Sequence, residues 1–150
     1  MDVGPIESHW LRAGHELRVE DRDRWLEVGA RALERHREPH RAYHGVAHVV
    51  AVLDALVELV EVPSGELVAA AVFHDVIYDP KAATNEADSA VLGVDELTAV
   101  GVDASTVACV AELIEATATH EVSGVRRVDV VTAGVFLDAD LSILGAPADV

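Results

Sequence analysis

Apolar residues recur every three to four positions along much of the chain, which is the spacing of an amphipathic helix. The segment from 21 to 36 shows this most clearly, because its apolar positions share one side and its charged positions the other. Those apolar positions are Trp25, Leu26, Val28, Gly29, Ala32 and Leu33. Pro39 then ends the helix. The pattern predicts an all-α protein, a bundle of about six to seven helices.

No polar residue interrupts the run from 67 to 73, which comes just before His74 and Asp75. We expect this run to be buried and to carry both side chains into the interior. Moving an ionised carboxylate out of water costs several kcal/mol unless a cation or hydrogen bonds compensate for the lost hydration. A metal ion would serve both side chains, so His74 and Asp75 are a candidate half-site.

Two further pairs of polar residues have apolar neighbours. His44 and His48 are four residues apart on the inward face of a predicted helix, where they could share a metal, act as ligand and supporting group, or be hydrogen-bonded core residues. Asp138 and Asp140 lie in a strongly apolar segment, so at least one of them needs a cation or dense hydrogen bonding.

Two valine-rich segments, 69–77 and 128–137, also fit buried strands, which would make the protein α/β. The helical periodicity of the flanking segments favours the all-α alternative. We expect one domain over residues 1–150.

Composition limits the functions that this chain can have. Its 11 basic and 27 acidic residues give a formal net charge of −16, which disfavours binding to nucleic acid or anionic membrane. The single cysteine, Cys109, excludes an internal disulfide and a thiolate zinc cluster, and it indicates a cytoplasmic setting. No apolar segment approaches the roughly 20 residues that span a bilayer. A homodimer stays open, since the Trp and Val residues of the first helices could cover a partner instead of the core.

Five strings, in this order, carry a resemblance to a known family: RAYHGVAH (41–48), FHDVIY (73–78), NEADSA (85–90), TATH (117–120) and LDADLSILG (137–145). They resemble the HD-domain superfamily of metal-dependent phosphohydrolases, in particular a bacterial branch of predicted HD-superfamily hydrolases. The resemblance implies an all-helical HD-like fold and hydrolysis of a small phosphate ester or nucleotide by metal-activated water. It also implies a divalent ion, and ligands without sulfur suit Mn²⁺, Fe²⁺, Zn²⁺, Ni²⁺ or Mg²⁺.

The same resemblance assigns roles to residues. His44, His74, Asp75 and Asp140 would be the metal ligands, with Asp138 in reserve for Asp140. From the chemistry of such a ligand set, we further hypothesise that Asp75 orients or deprotonates the water and that His48 or His120 protonates the leaving oxygen. Asn85 and Glu86 would lie near the metal or substrate.

Two other functions stay open. Family relatives continue for several helices beyond the last string, so we expect the chain to be either a fragment or a short member. The shorter C-terminal region favours a non-catalytic module that binds metal or nucleotide. An iron-dependent oxygenase with a paired metal site would need further ligands, for which His48, Asp138 and Glu86 are the candidates.

Overall fold

The computed structural model describes residues 3–41 and 45–144. This part of the chain forms a 3₁₀ turn, Gly4–Ile6, and seven α-helices. The helices are α1 (Glu7–Glu16), α2 (Arg22–His36), α3 (Val46–Val60), α4 (Gly65–Phe73), α5 (Asn85–Ala99), α6 (Ala104–Ala116) and α7 (Val130–Leu144). The prediction of an all-α bundle is confirmed, and both valine-rich segments are helical for most of their length, not strands.

Helix α4 lies at the centre of the bundle and packs against α1, α2, α3, α5 and α6. Its residues from 67 to 73 are all buried, as expected for a helix that is apolar on every side. The helix begins where the Ser64 hydroxyl accepts a hydrogen bond from the Leu67 N–H at 3.3 Å. It ends at Phe73, so His74 and Asp75 follow directly at the end of the most buried element, where His74 is itself buried.

Two tryptophans fasten α1 to α2. The rings of Trp10 and Trp25 stack with centroids 4.1 Å apart, and each indole N–H donates to the other residue's carbonyl, at 2.8 and 2.6 Å. Gly14 and Gly29, each four residues after a tryptophan, leave room for the opposite ring. Both tryptophans are therefore buried within the chain itself, not on a surface that could cover a partner.

The loop between α6 and α7 is held by one carboxylate. Glu112 on α6 accepts hydrogen bonds from the backbone N–H groups of Arg126, Arg127 and Val128, at 2.9 to 3.1 Å. Asp129 then accepts a hydrogen bond from the Thr132 N–H at 2.8 Å at the start of α7. These contacts fix where α7 begins, and α7 packs along α3 and α6.

Among the described residues, no helix is both long enough and apolar enough to cross a membrane.

Candidate metal centre

Three buried polar side chains from separate parts of the fold converge at one point. His48 lies in the first turn of α3, His74 directly follows α4, and Asp140 lies in the second half of α7. Their exposed fractions are 4%, 1% and 4%. Because α3 packs against both α4 and α7, the three elements bring these side chains together although 92 residues separate the first from the last.

The donor atoms of these side chains are nearly equidistant. His48 Nε2 and His74 Nε2 are 3.2 Å apart, and Asp140 Oδ1 lies 3.1 Å from the first and 3.2 Å from the second. Imidazole nitrogens and carboxylate oxygens bind Zn²⁺ at about 2.0–2.2 Å, so two ligands of one ion are themselves about 3.0–3.5 Å apart. His48, His74 and Asp140, hereafter the donor group, therefore fit the spacing of a metal's ligands.

Neighbouring hydrogen bonds direct the donor atoms inward. His74 Nδ1 lies 2.8 Å from the Ala71 carbonyl, which can only accept, so Nδ1 carries a proton and Nε2 is the nitrogen that faces the donor group. His120 Nε2 lies 2.8 Å from Asp140 Oδ2 and leaves Oδ1 to face the two histidines. His120 has a positive φ of 56°, which turns the chain at this point after α6. This is the arrangement of supporting contacts that usually surrounds a metal site.

Asp75 lies at the edge of this group. Its Oδ2 is 3.4 Å from His48 Nε2 and 3.2 Å from His74 Nε2, and 19% of its side chain is exposed. It lies outside the group of His48, His74 and Asp140, so its role as a metal ligand stays a prediction. Asp75 is thus the carboxylate between the imidazoles and solvent.

In the metal-free protein the charges of the donor group are coupled. Burial lowers the pKa of His74, but the negative charges and hydrogen bonds of Asp75 and Asp140 outweigh burial and raise the pKa well above 6.5. Burial raises the pKa of Asp140, but hydrogen bonds from His48, His74 and His120 outweigh it and hold the pKa far below 3.8. Without a metal, these shifts favour a protonated His74 beside an ionised Asp140.

The metal-free protein should lose stability as the pH rises above neutral. Because the pKa of His74 is raised in the folded state, its protonation adds fully to the free energy of unfolding below pH 6.5, the ordinary value. This contribution is lost as the pH rises through the raised pKa. The depressed pKa of Asp140 acts in the opposite direction. Its ionised carboxylate stabilises the fold above pH 3.8, the ordinary value, and this contribution is lost in stronger acid. Urea unfolding with EDTA, from about pH 5 to 9, should show the decline, and His74→Gln should flatten it. With Zn²⁺ present the trend should reverse, because the ion displaces the His74 proton and binds more tightly at higher pH. Equal stability at both ends of the range, without metal, would contradict this prediction.

The predicted site residues are distributed as follows. His44 lies outside the described residues, so its role as a ligand stays a prediction. His48, which the family resemblance places outside the ligand set, is in the donor group. Asp138 is exposed, whereas Asp140 belongs to the group.

The other predicted residues lie farther out. The side chain of Asn85 bonds the backbone of Asp79 in both directions, at 3.0 and 2.9 Å, and thereby closes the loop after α4. Glu86 is half-buried in the first turn of α5, where a carboxylate favours the helix. His120 contacts the donor group only through Asp140. Sequence patterns gave no role to Arg41, whose only signal was its place in the first of the five strings.

Comparison with known proteins gives no match: no family model, no curated protein and no solved structure matches the chain. What the site can do is therefore inferred from its own atoms.

Proposed function

We propose that this protein is a metal-dependent phosphohydrolase that acts on a small phosphate ester. The observation that carries the proposal is the donor group, in which two imidazole nitrogens and a carboxylate oxygen lie 3.1 to 3.2 Å from one another in a buried place. The three ligands of the donor group, taken from the described residues, leave coordination positions open, as in catalytic sites and unlike closed structural sites. Two imidazoles with a carboxylate and no sulfur suit Zn²⁺, Fe²⁺, Mn²⁺ or Ni²⁺.

When bound, a divalent ion would make water nucleophilic near neutral pH and would neutralise charge on a phosphoryl group. Within the chain, Asp75 is the group that could accept a proton from the attacking water. Its carboxylate contacts both imidazoles and is 19% exposed, so it can meet water and substrate entering from solvent. His74 and His48 hold their positions through contacts with Asp75 and Asp140.

The two histidines proposed as proton donors have other roles in this geometry. His48 presents Nε2 to the donor group, and a nitrogen bound to a metal cannot also deliver a proton. His120 Nε2 is hydrogen-bonded to Asp140, so His120 is a positioning residue for that carboxylate. Proton delivery to the leaving oxygen then falls to solvent or to the protonated Asp75.

A groove lined in part by His120, although by no residue of the donor group, could hold the organic part of a small substrate. Its volume is about 500 Å³, and Val122, Leu137 and Leu141 make it largely apolar while Glu121 and Asp138 add acidic groups. This acidic edge, in a protein of formal charge −16, would repel a chain of phosphates. An ester with one phosphate and an apolar or cationic organic part fits the groove better.

The proposal can be tested by metal analysis followed by turnover. Protein purified without chelator should contain about one equivalent of transition metal, and with Mn²⁺ or Zn²⁺ it should hydrolyse p-nitrophenyl phosphate or another small ester. The double variant His74→Ala, Asp75→Ala should do neither, while the control Asp138→Ala should keep its metal.

Other outcomes identify the other functions. Metal and nucleotide binding without turnover on any ester would indicate a non-catalytic module. Two metals per chain with oxygen consumption would indicate the oxygenase. Absence of metal from the parent, even after Mn²⁺ or Fe²⁺ is added, would overturn the proposal.

A further inference from the structure

The last turn of α4 has no unsatisfied carbonyl group. A helix leaves its last four carbonyls without partners in the helix, and each must find a donor elsewhere. In α4 the donors are the His74 N–H to Ala70 at 2.8 Å, His74 Nδ1 to Ala71 at 2.8 Å, His36 Nε2 to Val72 at 2.9 Å and the Val76 N–H to Phe73 at 3.1 Å. Two of these donors belong to the metal-binding candidate His74 itself, so the end of the helix and the site are one structure.

Arg41 holds the turn that follows. Its side chain is completely buried, and its guanidinium donates to the carbonyls of Asp75 and, at 2.7 Å, of Val76. The same group pairs with the Glu38 carboxylate at 3.0 Å. A guanidinium is a planar fork of donors, so one side chain can hold two successive carbonyls in a fixed direction.

His36 joins the same arrangement. It is 2% exposed, and Arg41 donates to its Nδ1 at 3.3 Å. Because an arginine can only donate, Nδ1 accepts and the proton of the neutral ring lies on Nε2, which donates to the Val72 carbonyl. His36 and Arg41, hereafter the carbonyl clamp, therefore hold the backbone on both sides of His74 and Asp75.

Burying an arginine only to end a helix would be energetically unfavourable compared with an apolar side chain. Removing a guanidinium from water costs several kcal/mol before its partners compensate, and an apolar side chain of similar volume often stabilises a core as well or better. The Arg41 guanidinium donates to the backbone carbonyls of Asp75 and Val76. This is the stretch of backbone that carries the side chains of His74 and Asp75.

We propose that the carbonyl clamp is the positioning device of the metal centre: Arg41 and His36 fix the backbone at residues 72 to 76 so that His74 Nε2 and the Asp75 carboxylate point to the ion before it binds. A site held in this way spends little free energy on ordering its ligands when the metal arrives. The proposal rests on the metal site of the proposed function, but not on the phosphohydrolase reaction.

The test compares Arg41→Met with Arg12→Met. Arg12 is the control, because it is partly buried and likewise donates to a backbone carbonyl, that of Pro63 at 3.3 Å, but from α1. Co²⁺ titration should show about 10- to 100-fold weaker binding for Arg41→Met, the usual cost of losing a supporting residue, and a changed visible spectrum. Arg12→Met should bind Co²⁺ like the parent, with the same spectrum. Urea unfolding without metal measures the stability of each variant separately.

A second pair of variants serves if Arg41→Met does not fold. His36→Gln keeps an N–H that can reach the Val72 carbonyl and should retain most of the Co²⁺ affinity, whereas His36→Leu should lose it several-fold.

Co²⁺ binding by Arg41→Met or His36→Leu with the parent's affinity and spectrum would overturn the proposal, even if the variant is less stable. Failure of the parent to bind Co²⁺ would overturn the metal site, and the clamp's role with it. A parent that binds Co²⁺ but hydrolyses no ester would contradict only the phosphohydrolase.

Discussion

Asp140→Ala should weaken divalent-metal binding by more than about 100-fold, since losing even a supporting residue costs 10- to 100-fold. Asp140 supplies the only carboxylate of the donor group, and its Oδ1 lies within 3.2 Å of both imidazole nitrogens. Without it, the two imidazoles and the more exposed Asp75 carboxylate remain, and this set attracts a cation less than one with a second, buried negative charge. Titration with Zn²⁺ or Co²⁺ at about pH 7.5, where the ion competes with the proton on His74, measures the loss.

Asp138→Ala is the matched control for this prediction. It removes the same functional group two residues earlier on the same helix, but from an exposed position. The control should bind metal like the parent. If instead Asp138→Ala lost the metal and Asp140→Ala kept it, the ligand on α7 would be Asp138 and the donor group would be wrongly identified.

Gly14→Ala and Gly29→Ala should each destabilise the fold by about 2–3 kcal/mol, the usual effect of overpacking a core. A Cβ on Gly14 would lie 2.4 Å from Trp25 Nε1, and one on Gly29 would lie 2.5 Å from Trp10 Nε1. Both contacts are far too short, and the rings cannot shift without breaking their stacking and the two indole hydrogen bonds. Urea unfolding measures the destabilisation, and near-ultraviolet circular dichroism reports the stacked indoles.

Gly134→Ala provides the comparison, because a Cβ on this glycine would meet no described atom within 4 Å beyond its chain neighbours and the backbone of α7. Here alanine gains helix propensity without a clash, so stability should rise by about 0.5–1 kcal/mol. The opposite signs follow from packing alone, since all three substitutions are the same chemical change inside a helix. Destabilisation of equal size in all three variants would contradict the role assigned to the tryptophan pair.

The helical fold followed from local pattern wherever a helix has one apolar side. The segment from 21 to 36 shows this, since five of its six predicted apolar positions are buried and the sixth, Leu26, is half-buried. The sequence also predicted that α4 is buried, because an uninterrupted apolar run must be surrounded by other elements. Prediction failed for the faces of α7. This helix is apolar nearly all round, so the sequence put Asp138 and Asp140 both among apolar neighbours, although Val131 beside Asp138 on the helical wheel is 76% exposed.

The sequence by itself determined the all-α fold, the buried position of His74 and a short list of imidazoles and carboxylates that a metal could use. The family resemblance already preferred Asp140 to Asp138, and the structure places Asp140 beside the two histidines. Only the tertiary structure decided that His48 is a donor and that Arg41 turns inward to backbone carbonyls. The reason is physical. Helical periodicity reports which side of one segment avoids water, whereas a site of three donors depends on how α3, α4 and α7 pack against one another, over separations that local pattern does not record.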